Sequence, residues 1–338
     1  MSLDGINLTS MRSMIESFPD LLDSVSIPKY VINHAEDLIV QGFAGICLLG
    51  MGGSAIAGKL CENYLAKTAS KPLLTVRDYQ IPEFIDSSWV VIATSYSGNT
   101  EETLSAVKDA KTRGCRVLAI TSGGELASII DSEHTTLVPM GFQPRAALPI
   151  LFSVQLKLIE TLLNLEATNL LQVVKAMKEY SQSWIRCERT PLDLAKFLQG
   201  KIPLFIGSQF TEGIAYRAKC QVNENAKSAA FYSVLPEANH NEIESIAKFD
   251  AVRIQPIFIR SITETKRLSK RIEATSMIYD EEMENCIHLH MKVKSRIEEM
   301  LLLVYYLDLV SLEIAEMQGE NPLSVERISR LKKILSKD

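Results

Sequence analysis

One stretch constrains this chain more than any other: Trp89-Val90-Val91-Ile92-Ala93-Thr94, followed by Ser95-Tyr96-Ser97-Gly98-Asn99-Thr100-Glu101-Glu102-Thr103. An unbroken β-branched apolar run marks a strand buried on both faces, the habit of parallel sheets. Leu104 to Arg113 then reads as a helix. Hydroxyls and a glycine are therefore packed into the turn between a strand's C-terminal end and a helix N-terminus. Unpaired backbone N–H groups and the positive end of the helix dipole favour an anion there. Three hydroxyls, on Ser95, Ser97 and Thr100, can donate to the same oxygens. An ordinary cap, with Asn99 or Thr100 capping and Glu102 or Thr103 in the first turn, needs only one.

The same pattern recurs through the first half. Two helices are expected in residues 10–41, split at Ser26-Ile27-Pro28. Gly45 to Leu49 is a strand that runs into Gly50-Met51-Gly52-Gly53-Ser54-Ala55-Ile56-Ala57-Gly58 and a helix. Leu73 to Arg77, Arg116 to Thr121 and Thr135 to Pro139 are further strands, with a short helix after Gly123-Gly124. Strands alternating with helical periods predict a parallel α/β sheet, whose ligands sit at the strands' carboxyl ends. A rival comes with the glycine turn. Gly50-x-Gly52-x-x-Ala55 fits the dinucleotide fingerprint, and Asp78 stands where a ribose-binding acid would. Against it, Gly53-Ser54 puts another hydroxyl at the helix start. Two hydroxyl-lined turns converging on one crevice suit a phosphomonoester better than a pyrophosphate. A third turn, Gly141 to Pro149, places Arg145 at the sheet's exit, where it can face a charged intermediate.

Composition narrows the function classes. At 338 residues the chain suits two domains. A net charge of −5 argues against nucleic acid as the main partner. The densest apolar run, Met300 to Leu307, falls well short of the roughly 20 residues that span a bilayer. It reads as a buried helix. Without a basic-then-apolar signal pattern at the N-terminus, and with six scattered cysteines lacking CxxC spacing, a cytoplasmic protein with reduced thiols is expected.

Ile150 to Tyr180 is helical in period and joins the halves. A helix at 191–199 leads into a strand at 202–208 that again ends in Gly-Ser. Strands near 229–234, 252–259 and 286–290 follow, with helices near 263–274 and 295–317 and a helix start at Asn321-Pro322-Leu323-Ser324. Arg217, Gln221 and Glu224 share one face of the helix after 208. His288 and His290 alternate on a strand but lack an evident third metal ligand. His240 differs: it lies in a polar loop between Asn239 and Asn241, where packing gives it no purpose.

Taken together, Gly52-Gly53-Ser54-Ala55-Ile56, the Ser95–Thr103 loop, Pro144-Arg145-Ala146-Ala147, Asn223-Glu224-Asn225-Ala226-Lys227 and Asn239-His240-Asn241 resemble the bifunctional phosphoglucose/phosphomannose isomerase family. The resemblance covers nearly the whole chain, in order. It implies two tandem sugar isomerase (SIS) domains of flavodoxin-like α/β fold, each a parallel sheet flanked by helices. Their bounds would be 1–155 and 191–338, with a helical linker at 156–190. It also implies reversible conversion of glucose 6-phosphate, and mannose 6-phosphate, to fructose 6-phosphate with neither metal nor cofactor. Gly53, Ser54, Ser95, Ser97 and Thr100 would hold the phosphate. Glu224 would move the proton between C1 and C2, and Arg145 would stabilise the cis-enediolate. His240 and Lys332 would open the sugar ring, the histidine reaching across a homodimer.

The residue types suit those tasks. A proton shuttled between adjacent carbons needs one base on a rigid element. An arginine is a permanently charged donor, and a histidine titrates near neutrality. Asn321-Pro322-Leu323-Ser324-Val325 stands where the family usually carries a Thr-Pro-rich turn, and Ser324 is the hydroxyl available to help admit the mannose epimer. A non-catalytic phosphosugar sensor is the alternative, but it has no need of Glu224, His240 and Lys332 together. An NAD(P)-dependent enzyme is the third reading.

Overall fold

The computed structural model describes residues 7–184, 187–283 and 286–336. The chain divides into two units, one holding Glu16–Gln182 and the other Ser183 onward together with Thr9–Ile15. Helix α1 (Met11–Glu16) therefore lies mostly with the second unit, where Arg12 pairs with Glu313 and Glu316 at 2.9 and 2.8 Å.

In the first unit, α2 (Phe18–Leu21) and α3 (Lys29–Gln41) precede β1 (Ile46–Leu49), α4 (Gly52–Leu65), β2 (Leu73–Val76), β3 (Val90–Ser95), α5 (Glu101–Thr112), β4 (Arg116–Thr121), α6 (Gly124–Ile129) and β5 (Thr135–Leu137). The five strands run parallel in the order β2-β1-β3-β4-β5. Every residue of β1 and β3 is buried, as expected when helices cover both faces. Cys47, Leu49, Val91, Ala93, Val117 and Ala119 form one core with Leu104 and Val107 of α5 and Leu126 of α6. The alternate residues, Ile46, Leu48, Val90, Ile92, Leu118 and Ile120, are equally buried on the other face.

The segment from 150 to 180 is two helices rather than one, α7 (Leu148–Leu162) and α8 (Leu170–Ser181). Asn164 takes a left-handed φ of +50°, and Asn169 caps α8 by accepting from the Gln172 N–H at 3.1 Å. Both helices pack within the first unit, α7 against α3 and α4 and α8 against α2.

The second unit continues with α9 (Pro191–Phe197), β6 (Ile202–Gly207), α10 (Glu212–Asn225), β7 (Phe231–Val234), β8 (Ile254–Ile259), α11 (Lys266–Glu282), β9 (Ile287–Leu289), α12 (Arg296–Gln318) and α13 (Glu326–Leu335). Its parallel sheet has the order β7-β6-β8-β9. Residues 237–252 form 3-10 turns whose Ala238, Ile246 and Phe249 join Leu204, Ile206, Phe258 and Tyr279 in its core. The expected helix starts at 263 and 321 fall a few residues later. Thr265 caps α11 by accepting from the Leu268 N–H, and 321–324 is a turn before α13. No described helix is long and apolar enough to cross a membrane.

Candidate active site

Strand order fixes where the first unit can hold a ligand. From β1 the chain goes to β2 on one side, while β3 lies on the other, so a crevice opens at the carboxyl ends of β1 and β3. The two hydroxyl-bearing turns leave from those ends. Ser95, buried at the end of β3, donates from Oγ to Thr100 Oγ1 at 3.0 Å. Thr100 occupies the N-cap of α5 yet makes no side-chain cap bond, and Met51, before α4, offers none. Neither helix start is closed by its own side chain, which is the state that receives an anion. Ser54 is buried in the first turn of α4, and Ser97 is exposed, with Oγ accepting from the Asn99 N–H at 3.3 Å.

Neighbouring turns hold the serine loop rigid. Gly98 has a φ of +70°, and a Cβ there would lie 1.7 Å from the Gly123 carbonyl oxygen, so only glycine fits. Asn99 Oδ1 accepts from the Glu125 N–H at 2.9 Å. Tyr96 donates to the Pro139 carbonyl at 2.8 Å and accepts from the Phe142 N–H at 2.9 Å. Burial raises the Tyr96 phenol above its usual range, so it remains a donor. Two contacts escaped the sequence reading. A Cβ on Gly53 would sit 3.1 Å from the Pro144 carbonyl oxygen and 3.3 Å from Arg145 Cα. The start of α4 and the buried Arg145 are thus neighbours. Gln155 of α7 donates from Nε2 to the Ser54 carbonyl at 3.2 Å and to Thr94 Oγ1 at 3.0 Å, tying the β1 and β3 exits together. A single glutamine in a largely apolar helix was its only signal.

The other site residues belong to the second unit. Glu224 is half-buried in the last turn of α10 and lines a groove of about 500 Å³ with Asn223, Lys227, Asn321, Ser324 and Ile328. The helix beneath it is fixed from inside. Arg217 and Asp308, each 1% exposed, pair through Nε–Oδ1 and Nη2–Oδ2 contacts of 3.0 and 2.8 Å, and Asn225 donates to Ser311 Oγ at 2.8 Å. Arg217 and Gln221 are thus interior, whereas Glu224 opens to the groove.

His240 is exposed at the end of a 3-10 turn. Asn239 before it donates to Thr275 Oγ1 at 2.9 Å and accepts from Arg271 Nη1 at 3.2 Å. Asn239, Arg271 and Thr275 line a second groove that shares no residue with the one holding Glu224. Lys332 is exposed on α13, one helical turn beyond Ile328 and on its side of the helix. His288 is occupied by Arg260 and Ser276, at 3.2 and 2.8 Å, and burial lowers its pKa first, Arg260 second. Among the described residues no three His, Cys, Asp or Glu side chains are grouped to hold a metal.

Family models match in two blocks: a SIS domain over residues 44–165 and the bacterial phospho-glucose isomerase C-terminal SIS domain over 188–335. The bifunctional phosphoglucose/phosphomannose isomerase of Aquifex aeolicus is 34% identical over 300 residues, covering 87% of this chain and 91% of that one. That of Thermoplasma acidophilum is 33% identical over 296 residues, covering 87% and 90%. A D-glucosamine-6-phosphate 4-epimerase of Sulfolobus acidocaldarius is also 34% identical, over 257 residues, 73% of this chain and 78% of that one. Among solved structures, tagatose-6-phosphate ketose/aldose isomerase from Escherichia coli superposes with a TM-score of 0.73 at 16% identity, covering 95% of this chain and 96% of that one. That likeness concerns the fold alone. With two SIS blocks in order and such identity along nearly its whole length, the chain belongs to the bifunctional phosphoglucose/phosphomannose isomerase family.

Proposed function

We propose that this protein interconverts glucose 6-phosphate and mannose 6-phosphate with fructose 6-phosphate through a cis-enediolate, without metal or nicotinamide. The observation that carries the proposal is Glu224: a carboxylate at the end of a helix fixed by a buried ion pair, opening into a sugar-sized groove. Such a base can take a proton from one carbon and return it to the next. The Gly53 and Ser54 turn with Ser95, Ser97 and Thr100 is the phosphate cradle. Binding energy from the phosphate, remote from the reacting carbons, then holds C1 and C2 in a reactive geometry. Arg145 supplies the fixed positive charge opposite the enediolate oxygen. His240 and Lys332 open the ring, and Ser324, on the wall of the Glu224 groove, supplies the hydroxyl that admits the mannose epimer.

Within the second unit, Glu224 lines one groove and Asn239, the residue before His240, lines another, which supports a homodimer in which His240 serves the partner's substrate. Reduced cysteines, all six of them free, support a cytoplasmic setting.

Glu224→Gln is expected to lower turnover of glucose 6-phosphate, assayed with EDTA present, by about 10³-fold while sugar phosphate still binds. Near-normal turnover in that variant overturns the base, and conversion of glucosamine 6-phosphate to its C4 epimer with no action on glucose 6-phosphate overturns the reaction. Mixing inactive Glu224→Gln and His240→Ala proteins should restore activity if the histidine acts across the dimer. A heterodimer then holds one site with both native groups. A mixture as inactive as its parts would place both groups in one chain.

A further inference from the structure

Lys227 is the residue around which the end of the catalytic helix and the C-terminal segment are joined. It follows α10 by two residues in a left-handed conformation, φ +54°, which turns its side chain back on the helix end. Its ammonium donates to the carbonyls of Glu224 at 2.6 Å, Asn225 at 3.4 Å and Asn321 at 3.0 Å. The first two carbonyls lie past the last regular helical bonds, where the helix dipole is negative and a cation is favoured. The third belongs to the turn before α13. Beside it, Ser228 donates to Oε1 of Gln318, the last residue of α12, at 2.8 Å. Lys227 also lines the groove that Glu224 opens into, together with Asn321 and Ser324.

We infer that Lys227 is a positioning residue for the isomerisation. It clamps the turn that carries Glu224 to the turn that carries Ser324, and so sets the depth of the proton-shuttling carboxylate against the groove wall. The inference rests on Glu224 being the base. Three charge-assisted bonds from one ammonium fix two backbone segments that share no helix or strand. A neutral side chain of similar length keeps the packing but not the bonds. The carboxylate then loses its fixed reach, and a shift of about 1 Å can cost about 10²-fold in rate. The phosphate cradle, built from other residues in the first unit, is untouched by that change.

Lys227→Met is therefore expected to lower kcat by 10- to 100-fold, in the range that misplacement produces. KM for glucose 6-phosphate should stay within about twofold, because the phosphate supplies the binding. Lys227→Arg, which keeps the charge and can reach the same carbonyls, should recover most of the loss. Hydrogen exchange at 319–326 should quicken in Lys227→Met and not in Lys227→Arg. If Lys227→Met does not fold, Lys227→Leu, which likewise carries no donor, is read by the same kcat and KM criteria. A kcat within twofold of the parent, or a rise in KM with kcat unchanged, overturns the inference. Glu224→Gln measured alongside separates the two claims. If it is inactive while Lys227→Met is normal, only the clamp is wrong; if it is active, the base is wrong and the clamp falls with it.

Discussion

The two units use one topology in opposite ways at the ends of their strands. The orders β2-β1-β3-β4-β5 and β7-β6-β8-β9 place a crevice at equivalent points, beside β1 and β3 in the first and β6 and β8 in the second. In the first unit the turns at that point present hydroxyls at helix starts that lack side-chain caps. In the second, the start of α10 likewise lacks a side-chain cap, but the protein's own side chains take donors of the turns. The Ser208 N–H donates to Thr211 Oγ1 at 2.8 Å. The Ser261 N–H donates to Glu264 Oε1 at 2.8 Å, and Arg260 Nη2 reaches Glu264 Oε2 at 2.7 Å. Glu299 accepts from Ser261 Oγ at 2.7 Å and from the Ile262 N–H at 2.8 Å. What a substrate phosphate would do in one crevice, the side-chain carboxyls of Glu264 and Glu299 do in the other. A fold that favours anions at these ends can leave the place open for a ligand or fill it from within.

The largest effect should come from emptying the filled crevice. Arg260 and Glu264 are both nearly buried, so Glu264→Ala leaves a guanidinium without its main counter-ion. The expected loss is about 3 kcal/mol of unfolding free energy, measured by chemical denaturation. Sulfate should then stabilise the variant more than it stabilises the parent, because a second anion place has been vacated. Equal sulfate stabilisation of the two proteins would break the equivalence of the crevices.

Much of this was legible in the sequence. The strands of the first unit lie where apolar β-branched runs are flanked by Gly and Ser turns, because strands covered on both faces must be apolar throughout. The serine loop was legible for a related reason, since three hydroxyls at one strand exit exceed what a cap requires. What escaped depends on partners distant in the chain. Placement of α1 with the second unit rests on Arg12 meeting Glu313 and Glu316. The interior half of α10 rests on Asp308 answering Arg217, and periodicity alone put Arg217, Gln221 and Glu224 on one undivided face. The break between α7 and α8 turns on Asn164 adopting a left-handed conformation, a preference too weak to read from one residue. Glu264 and Glu299 looked like ordinary helix-flanking acids, and only the fold shows that they stand in an anion place.

A smaller effect would sharpen the comparison through pH. Burial, the largest cause, and the charge of Glu264 together raise the Glu299 pKa to about 7, against the hydrogen bonds from Ser261 and Ile262 and the charge of Arg296. In the unfolded chain the group titrates near 4.3, as an ordinary glutamate does. Between those values the folded protein binds more protons than the unfolded one, so this group's contribution to stability is fully present below about pH 4.3 and declines as pH rises towards 7. A shift of that size corresponds to about 3–4 kcal/mol. Glu299→Gln keeps an acceptor for the Ile262 N–H and a neutral partner for Ser261, and it cannot ionise. Unfolding free energies of the two proteins, measured from pH 5 to 8, should therefore diverge in favour of the variant as pH rises. Parallel curves would mean that Glu299 is already ionised and stabilised in its crevice. The second unit would then bind its internal anion as comfortably as the first is proposed to bind a phosphate, and the difference between them would be one of occupancy alone.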